Sequence, residues 1–318
     1  MKITVLDGYL VGVGGQDWSP LSSLGEFVYY EMTTGADDVA ARIGDADVIL
    51  TNRCPISAET IAQCPNLKLI HSFGTGYNQI ALDAANERGI VVTNTPGYGR
   101  GAVAQMAVAL LFAIVRRVDL FDRYVKTTGW RESIDPNICT IRQFELTGKT
   151  IGILGMGDIG YAVARVAMAM DMNVLAYQRN PRRELECDRL RYCSLEELLS
   201  ASDIISVHCP LTDQTRGLVN AQAIDSMKEG VIILNTARGP VVDEQAMIAA
   251  LDSGKVYAYG TDVFADEPCG DSAIAHHPRC VATPHVAWMP EETRARVIRI
   301  SADNIRAFLK GEKLNVVN

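Results

Sequence analysis

The sequence lacks the features of a secreted, membrane-spanning or nucleic-acid-binding protein. Its longest apolar run, AVAQMAVALLFAIV over 102–115, is shorter than the ~20 residues that cross a bilayer. No secretory signal precedes Asp7, so we expect a cytoplasmic protein. The formal net charge is −8, which disfavours nucleic acid and anionic membranes as partners.

The chain also lacks the cysteine and histidine spacings of a disulfide framework or a zinc site. Its 8 cysteines are scattered and none forms a CxxC pair, so we expect reduced thiols. His276 and His277 are adjacent, unlike the spaced ligands of a structural zinc ion. We therefore predict no metal site.

What the chain does have is a repeated alternation of strands and helices. Its 318 residues suggest two domains of ~150 residues each. Predicted strands cover 2–7, 27–32, 47–52, 67–73, 89–96, 150–155, 173–178, 203–209, 231–237, 257–264 and 281–287. Such alternation is typical of parallel α/β sheets. A long amphipathic helix is predicted over 290–312, and we expect it to return to the first domain.

A glycine motif lies between the strand 150–155 and the helix 160–171. Gly155, Gly157 and Gly160 form G-x-G-x-x-G, with Met156, Asp158 and Ile159 between them. In this context the first glycine allows a tight turn, the second lets the backbone approach a pyrophosphate, and the third lets the helix pack on the strand. The motif predicts a dinucleotide site.

The end of the next strand indicates which dinucleotide is bound. An acidic residue about 20 residues beyond the motif would bind the ribose 2′-hydroxyl of NAD, but this chain has Gln178. Arg179, Arg182 and Arg183 follow, and guanidinium groups suit a phosphate. We therefore predict NADP(H) over NAD(H). In the alternative, the arginines are solvated and Gln178 binds an unphosphorylated ribose.

Three chemically useful residues follow later strands. Arg238, Glu267 and His285 lie near the ends of predicted strands, where ligands bind in open α/β sheets. Arg238 can bind the carboxylate and carbonyl oxygen of a 2-oxo acid. His285 can deliver a proton, and Glu267 can orient His285 and favour its charged form. The set predicts hydride chemistry on a 2-oxo acid.

These residues, with FGTGYNQIAL over 73–82, VHCPLT over 207–212 and TPHVAW over 283–288, resemble the D-isomer-specific 2-hydroxyacid dehydrogenase family along the whole chain. The resemblance implies a Rossmann-type dinucleotide-binding domain, 97–289, and a smaller flavodoxin-like substrate domain, 1–96 with 290–318. It implies an active site in the cleft between them. It also implies reduction of small 2-oxo acids to D-2-hydroxy acids, with hydroxypyruvate and glyoxylate as the expected substrates.

The resemblance assigns further residues. For the substrate these are the loop Gly74, Thr75 and Gly76, which would bind the carboxylate, Asn52 and Arg53 facing the same cleft, and Trp288 capping the pocket. For the cofactor they are His208, Cys209 and Pro210 on the adenosine side, Asp262 at the nicotinamide amide, and Thr215, Thr236 and Ala237.

The resemblance has departures and leaves alternatives. Many relatives have Asp at the position of Gln178, and the related branch reads LATGYN where this chain reads FGTGYN. Phe73 could therefore reshape the substrate pocket. Alternative activities are D-lactate, phosphoglycerate or phosphite dehydrogenase, or a dinucleotide sensor without turnover. The segment 126–146 would be an arm exchanged in a homodimer, with Trp130 and Phe144 as interface anchors; in the alternative, a monomer buries them.

Overall fold

The computed structural model describes residues 1–33, 36–128, 130 and 136–318. By internal contacts the chain forms two compact units, Met1–Gly99 with Trp288–Asn318, and Arg100–Ala287. The sequence-based boundaries, after residues 96 and 289, fall in the same connecting segments, 94–99 and 283–290. Each unit is described below by itself.

Twelve strands are found in the described residues. In chain order they are β1 Lys2–Val5, β2 Glu26–Tyr29, β3 Val48–Thr51, β4 Leu69–Ser72, β5 Val91–Thr93, β6 Thr150–Leu154, β7 Asn173–Tyr177, β8 Leu190–Tyr192, β9 Ile204–Val207, β10 Val231–Asn235, β11 Val256–Thr261 and β12 Cys280–Ala282.

Thirteen α-helices connect or flank these strands in the same part of the chain. They are α1 Tyr9–Gly12, α2 Ser19–Ser22, α3 Ala36–Ile43, α4 Ala58–Gln63, α5 Leu82–Glu87, α6 Arg100–Arg116, α7 Val118–Thr128, α8 Pro136–Cys139, α9 Asp158–Ala169, α10 Leu195–Ala201, α11 Ala221–Asp225, α12 Glu244–Ser253 and α13 Glu291–Leu309.

The first unit is built around a five-stranded parallel sheet. Its strand order is β2-β1-β3-β4-β5, which is the flavodoxin-like order 2-1-3-4-5. β3 and β4 are buried along their whole length, as expected for parallel strands covered on both faces. α13 packs on α1 and α2, so both ends of the chain contribute to this unit.

The second unit is built around a seven-stranded parallel sheet. Its order is β12-β11-β10-β9-β6-β7-β8, so the chain runs outward in one direction from β6 and then returns to continue on the other side. Such a reversal, here between β6 and β9, creates the crevice in which doubly wound sheets bind ligands. The predicted two-part α/β architecture is confirmed.

The helices follow local sequence signals. Ser57 caps α4, since its Oγ accepts a hydrogen bond from the N–H of Thr60 at 3.2 Å. Asp243 caps α12 by accepting from the N–H groups of Gln245 and Ala246. Such caps satisfy donors that the first helical turn leaves free.

The apolar run 102–115 lies within α6, which packs on α9, β10 and β11 of the second unit. In the described part of the chain no single helix is long and apolar enough to cross a membrane. The helices α6 and α7 together have the length and composition of a membrane span, but the chain bends by 56° between them. The strand β8 was missed by sequence reasoning. It has three residues, and Arg191 interrupts its apolar pattern.

Candidate active site

The glycine loop after β6 has the shape that its motif predicts. Gly155 has a φ of +98°, and a Cβ there would lie 2.6 Å from the backbone nitrogen of Cys209. A Cβ on Gly160 would lie 2.3 Å from the carbonyl oxygen of Gly155. A Cβ on Gly157 would meet nothing within 4 Å. The outer glycines therefore permit tight packing, whereas the middle one borders open space at the start of α9.

The same region holds most of the unpartnered buried polar atoms. In the described residues, six buried side-chain nitrogen or oxygen atoms lack a hydrogen-bond partner. Four of them belong to predicted cofactor-binding residues, namely Gln178 Oε1, Arg182 Nε, His208 Nδ1 and Thr236 Oγ1. Because an unpaired buried polar group costs about 1–3 kcal/mol, their concentration here fits a polar ligand that supplies partners. These residues fit a nicotinamide dinucleotide.

Arg182 is tied to the glycine loop. Its Nη2 donates to the carbonyl oxygen of Met156 at 2.7 Å, and its Nη1 lies 3.9 Å from Asp158 Oδ1. Asp158 is also 3.7 Å from Arg100. Met156 is fully buried, and Ile159 packs on the core of the unit. The Arg182 guanidinium is therefore bound to the glycine loop, next to Gly157, where the loop borders open space.

The other two arginines have different surroundings. Arg179 donates from Nη2 to the side-chain oxygen of Gln214. Arg183 forms an ion pair with Glu186 at 3.1 Å, and its side chain is 69% exposed. Arg179 and Arg182 thus bond to residues of the loops around the glycine motif. Arg183 instead bonds to Glu186, three residues further along the chain.

The segment after β9 forms the wall opposite Gly155. His208 Nε2 is 2.8 Å from Ser206 Oγ, and burial lowers the pKa of His208 to about 4. Burial raises the pKa of the Cys209 thiol to about 11, so the thiol stays protonated at neutral pH and gives no nucleophile. Thr215 Oγ1 donates to the carbonyl oxygen of Pro210 at 2.6 Å and shapes this loop.

Arg238 is presented by a turn that Asn235 holds in place. Asn235 is fully buried at the end of β10. Its Oδ1 accepts from the N–H of Ala237 at 3.0 Å, and its Nδ2 donates to the carbonyl oxygen of Arg238 at 3.0 Å. The Arg238 guanidinium itself donates to the carbonyl oxygen of Ala237 at 2.7 Å. Sequence reasoning missed Asn235, although an Asn at a strand end before a turn is its signal.

The loops after β10 and β11 are in direct contact. A Cβ on Gly239 would lie 1.9 Å from the carbonyl group of Phe264. Only glycine permits this approach, which brings the loop of Arg238 against the loop of Glu267. Glu267 Oε1 accepts from the N–H of Phe264 at 3.0 Å, so its carboxylate is anchored to the backbone.

His285 and Glu267 form a close pair. His285 Nδ1–H donates to Glu267 Oε2 at 2.6 Å, and their side chains are 30% and 25% exposed. A hydrogen bond between charged partners of this length is among the stronger ones in proteins. The bond orients the imidazole and leaves its Nε2 for a substrate.

The backbone of His285 has an unusual conformation that Asp262 supports. His285 has a φ of +55°, which costs free energy for a residue other than glycine. The buried Asp262 carboxylate accepts from Thr283 Oγ1 at 2.6 Å and from the N–H groups of Val286 and Ala287, both at 2.9 Å. Asp262 thus holds the residues on both sides of His285; its contact with a nicotinamide amide stays a prediction.

In the first unit, the loop Gly74–Gly76 has all three of its carbonyl oxygens occupied. They accept from Thr95 N–H at 3.0 Å, Asn94 Nδ2 at 2.8 Å and Ser72 Oγ at 2.7 Å. Within the described part of the chain, no hydrogen bond engages the N–H groups of Thr75 and Gly76. The loop therefore offers donors, as an anion-binding loop must.

A second loop of this unit, which begins with Asn52 and Arg53, is held by a carboxylate. Asp7 accepts from the N–H groups of Asn52, Arg53 and Cys54 at 2.7, 2.5 and 2.9 Å. Burial raises the pKa of the Asp7 carboxyl, and these backbone donors oppose that effect. Sequence reasoning overlooked Asp7, which ends the first predicted strand.

Two aromatic residues expected near the substrate belong to the core of the first unit. Phe73 is 2% exposed and packs near Trp18 at a ring distance of 6.1 Å. Trp288 is 8% exposed and packs edge-to-face on Tyr98 at 6.2 Å. Both pack within this unit, and the contact of Trp288 with a substrate stays a prediction.

The proposed dimer arm, 126–146, lies partly outside the described residues. Trp130 is 55% exposed. Phe144 packs on Tyr257 of its own chain at a ring distance of 4.7 Å, with the Arg142 guanidinium over both rings. Phe144 thus has an intramolecular partner, as in the alternative in which the monomer buries it.

The strand order of the second sheet, the glycine loop after β6 and the buried polar atoms without partners around it together define a dinucleotide-binding α/β protein. Residues 108–287 match the family model "D-isomer specific 2-hydroxyacid dehydrogenase, NAD binding domain". Hydroxypyruvate reductase from Blautia hydrogenotrophica is 44% identical over 321 residues, covering 100% of both chains. Glyoxylate reductase from Korarchaeum cryptofilum is 38% identical over 284 residues, covering 88% of this chain and 85% of that one.

A solved structure of similar fold is an acyclic imino acid reductase in complex with NADPH and D-Arg. It is 28% identical, has a TM-score of 0.85, and covers 100% of both chains. The chain belongs to the D-isomer specific 2-hydroxyacid dehydrogenase family, and it is an oxidoreductase that takes a nicotinamide dinucleotide.

Proposed function

We propose that this protein is an NADPH-preferring reductase that converts hydroxypyruvate and glyoxylate to their 2-hydroxy acids, with the D configuration for glycerate. The proposal is supported by the positions of Arg238, Glu267 and His285 just after three neighbouring strands, β10, β11 and β12, and by the bond between His285 and Glu267. The relatives named hydroxypyruvate reductase and glyoxylate reductase support the substrate class.

Arg238 binds the substrate in this proposal. Its guanidinium is permanently charged and forked, so it can bind a carboxylate oxygen and the neighbouring carbonyl oxygen together. Polarising the carbonyl makes its carbon more electrophilic. As negative charge develops on the oxygen, the same guanidinium stabilises it, which is the largest contribution a protein site usually makes.

His285 supplies the proton. Its Nδ1–H is directed to Glu267, which leaves Nε2–H to protonate the carbonyl oxygen as the bond order falls. The Glu267 carboxylate favours the charged imidazolium before transfer. Asp262 holds the Thr283 side chain before His285 and the backbone N–H groups of Val286 and Ala287 after it, so the imidazole needs little reorganisation.

The loop Gly74–Gly76 and residues Asn52 and Arg53 complete substrate binding in this proposal. The free N–H groups of Thr75 and Gly76 suit the substrate carboxylate. When bound, the dinucleotide supplies a hydride to the carbonyl carbon. Residues that would hold it are those of the glycine loop with Gln178, Arg179, Arg182, His208, Thr236 and Asp262.

The preference for NADPH is part of the proposal. Gln178 carries no charge that would repel a 2′-phosphate, and its Oε1 is buried without a partner. Arg179 and Arg182 lie beside it in sequence and bond to loops near the glycine motif. A hydrogen bond to a charged group contributes about 1.5–3 kcal/mol, which is roughly a ten- to hundred-fold preference.

The catalytic roles are tested by Arg238→Ala and His285→Ala. Each should lower kcat/KM for hydroxypyruvate by at least about 100-fold, the scale of a lost positioned acid or donor. The exposed Arg216→Ala, in the same unit, is the control and should retain activity. Near-normal activity in either site variant would refute its role.

The coenzyme preference is tested by Arg182→Ala, with Arg183→Ala as the matched control because Arg183 is paired with Glu186. Arg182→Ala should lower kcat/KM for NADPH about ten- to hundred-fold and leave that for NADH unchanged. Equal losses with both coenzymes would show that Arg182 only supports the loop.

We also propose that the protein is a cytoplasmic homodimer in which the segment 126–146 exchanges between subunits. The exposed Trp130 supports this proposal. Sedimentation equilibrium at micromolar concentration should give twice the mass of 34.6 kDa, and a monomer would refute it.

A further inference from the structure

The first unit buries a histidine that none of the steps above uses. His71 lies on β4, three residues before the loop Gly74–Gly76, and is completely inaccessible to solvent. Its Nδ1 is 2.9 Å from Thr93 Oγ1 and its Nε2 is 2.8 Å from Ser301 Oγ on α13. Nε2 is also 3.1 Å from Thr95 Oγ1.

The two hydroxyl groups near Nε2 each have a carbonyl partner as well. The Ser301 hydroxyl donates to the carbonyl oxygen of Val297 at 2.8 Å. The Thr95 hydroxyl donates to the carbonyl oxygen of Ser72 at 3.0 Å. Each hydroxyl has one proton; with that proton bonded to its carbonyl partner, each hydroxyl oxygen accepts from His71, and Nε2 then carries the ring proton.

The groups around Nδ1 agree with this tautomer. The Thr93 hydroxyl and Asn304 Nδ2, at 2.9 and 3.4 Å, can both donate to Nδ1. Among the described residues no carboxylate bonds to the ring, and burial lowers the pKa of His71 to about 3. The imidazole is therefore neutral, and the contacts at both nitrogens are consistent with the Nε2–H tautomer.

This network continues into the loop through the two residues after β5. Thr95 N–H donates to the carbonyl oxygen of Gly74 at 3.0 Å, and Thr75 Oγ1 donates to the carbonyl oxygen of Thr95 at 3.1 Å. Asn304 Nδ2 donates to the carbonyl oxygen of Asn94 at 2.8 Å, and Asn94 Nδ2 donates to that of Thr75 at 2.8 Å. Residues 94 and 95 thus bond to the network on one side and to the loop on the other.

We propose that His71, as the neutral Nε2–H tautomer, is a positioning residue for the loop Gly74–Gly76, and sets how well its free N–H groups bind the substrate carboxylate. The proposal rests on the proposed function, which assigns substrate binding to this loop. His71 touches no substrate. It acts by holding the Thr95 hydroxyl. Thr95 in turn holds the carbonyl oxygen of Gly74 through its N–H, so the loop keeps its free N–H groups directed toward the substrate.

The test compares His71→Leu with His71→Gln in the full-length protein. Leucine removes both ring nitrogens, whereas the glutamine amide offers an NH2 donor and a carbonyl acceptor and should restore part of the function. The control is Ile3→Ala, a buried residue on β1, which β3 separates from β4 in the sheet. The control loses stability through a cavity without touching the network.

His71→Leu should raise KM for hydroxypyruvate about tenfold, the scale of one unsatisfied buried polar group. The kcat, and the KM for NADPH, should stay within about twofold of the wild-type values. The reason is that binding of the substrate carboxylate weakens equally in the ground state and in the transition state. His71→Gln should recover part of the change, and Ile3→Ala should show none. An unchanged KM for hydroxypyruvate, or equal rises in both KM values, would overturn the proposal.

Amide hydrogen exchange provides a readout that does not need turnover. In His71→Leu, exchange should accelerate at residues 72–76, and in Ile3→Ala it should not accelerate there selectively. If the wild-type protein reduced no 2-oxo acid, the proposed function would fail. Selective exchange at 72–76 would still support the positioning of the loop by His71, and exchange equal to that of Ile3→Ala would overturn it.

Discussion

Replacing Glu267 by Gln tests the proton-donor assignment through a shift in pH dependence. Glu267 Oε1 accepts from the backbone N–H of Phe264 at 3.0 Å, while Oε2 accepts from His285 at 2.6 Å. In Glu267→Gln the amide oxygen can satisfy only one of these donors. If it stays with Phe264, the amide nitrogen faces His285, which then cannot hold a proton on Nδ1.

The magnitude follows from that lost bond. A hydrogen bond between charged groups contributes about 1.5–3 kcal/mol, and both side chains are less than a third exposed, so solvent screening is limited. Because Glu267 accepts a hydrogen bond from the imidazole that donates the proton, its loss should lower kcat/KM about ten- to hundred-fold and move the alkaline fall of the profile to lower pH.

The assay is the pH profile of kcat/KM for hydroxypyruvate reduction at saturating NADPH, followed by absorbance. Asp266→Asn is the matched control, because it removes a neighbouring negative charge whose side chain has no bond to His285. Its profile should coincide with the wild-type profile. A Glu267→Gln profile that also coincides would remove Glu267 from its role.

The remaining predictions concern the glycine loop and His71. Gly157→Val should leave the thermal midpoint within about 2 °C, the shift for a change near 0.5 kcal/mol, and weaken coenzyme binding at least about tenfold. Gly160→Ala should instead destabilise the fold, because its Cβ would lie 2.3 Å from the carbonyl oxygen of Gly155; calorimetry and coenzyme titration separate the two effects. Burial lowers the pKa of His71 to about 3. Below about pH 6.5 the unfolded chain therefore binds a proton at His71, whereas the folded chain does not. Between pH 7 and pH 5 the free energy of unfolding of the wild-type protein should therefore fall by about 2 kcal/mol more than that of His71→Gln. Denaturation curves that give the same fall for both proteins would contradict this.

Sequence reasoning found the elements whose signals are local. Apolar runs predicted eleven of the twelve strands in the described residues, and the G-x-G-x-x-G motif predicted the loop before α9, because strand burial and close backbone approach constrain residue type directly. It also foresaw the neighbouring positions of Arg238, Glu267 and His285, because carboxyl ends of parallel strands lie at one edge of a sheet.

What sequence reasoning missed depends on contacts between distant segments. Asn235 and Asp7 act on backbone groups within loops, and their partners depend on loop shape rather than on residue pattern. His71 reads as one polar residue in a strand, and its network needs α13, which lies about 230 positions further along the chain. Asp262 was expected to bind nicotinamide, and its bonds to the backbone around His285 were not foreseen.

The most direct test of the central claim is a matrix of initial rates with NADPH and NADH against hydroxypyruvate, glyoxylate and pyruvate. The account predicts the highest kcat/KM for NADPH with hydroxypyruvate or glyoxylate, with NADPH favoured over NADH by roughly ten- to hundred-fold. Equal or higher values with NADH would contradict the coenzyme assignment, and higher values with pyruvate than with both other acids would contradict the substrate assignment.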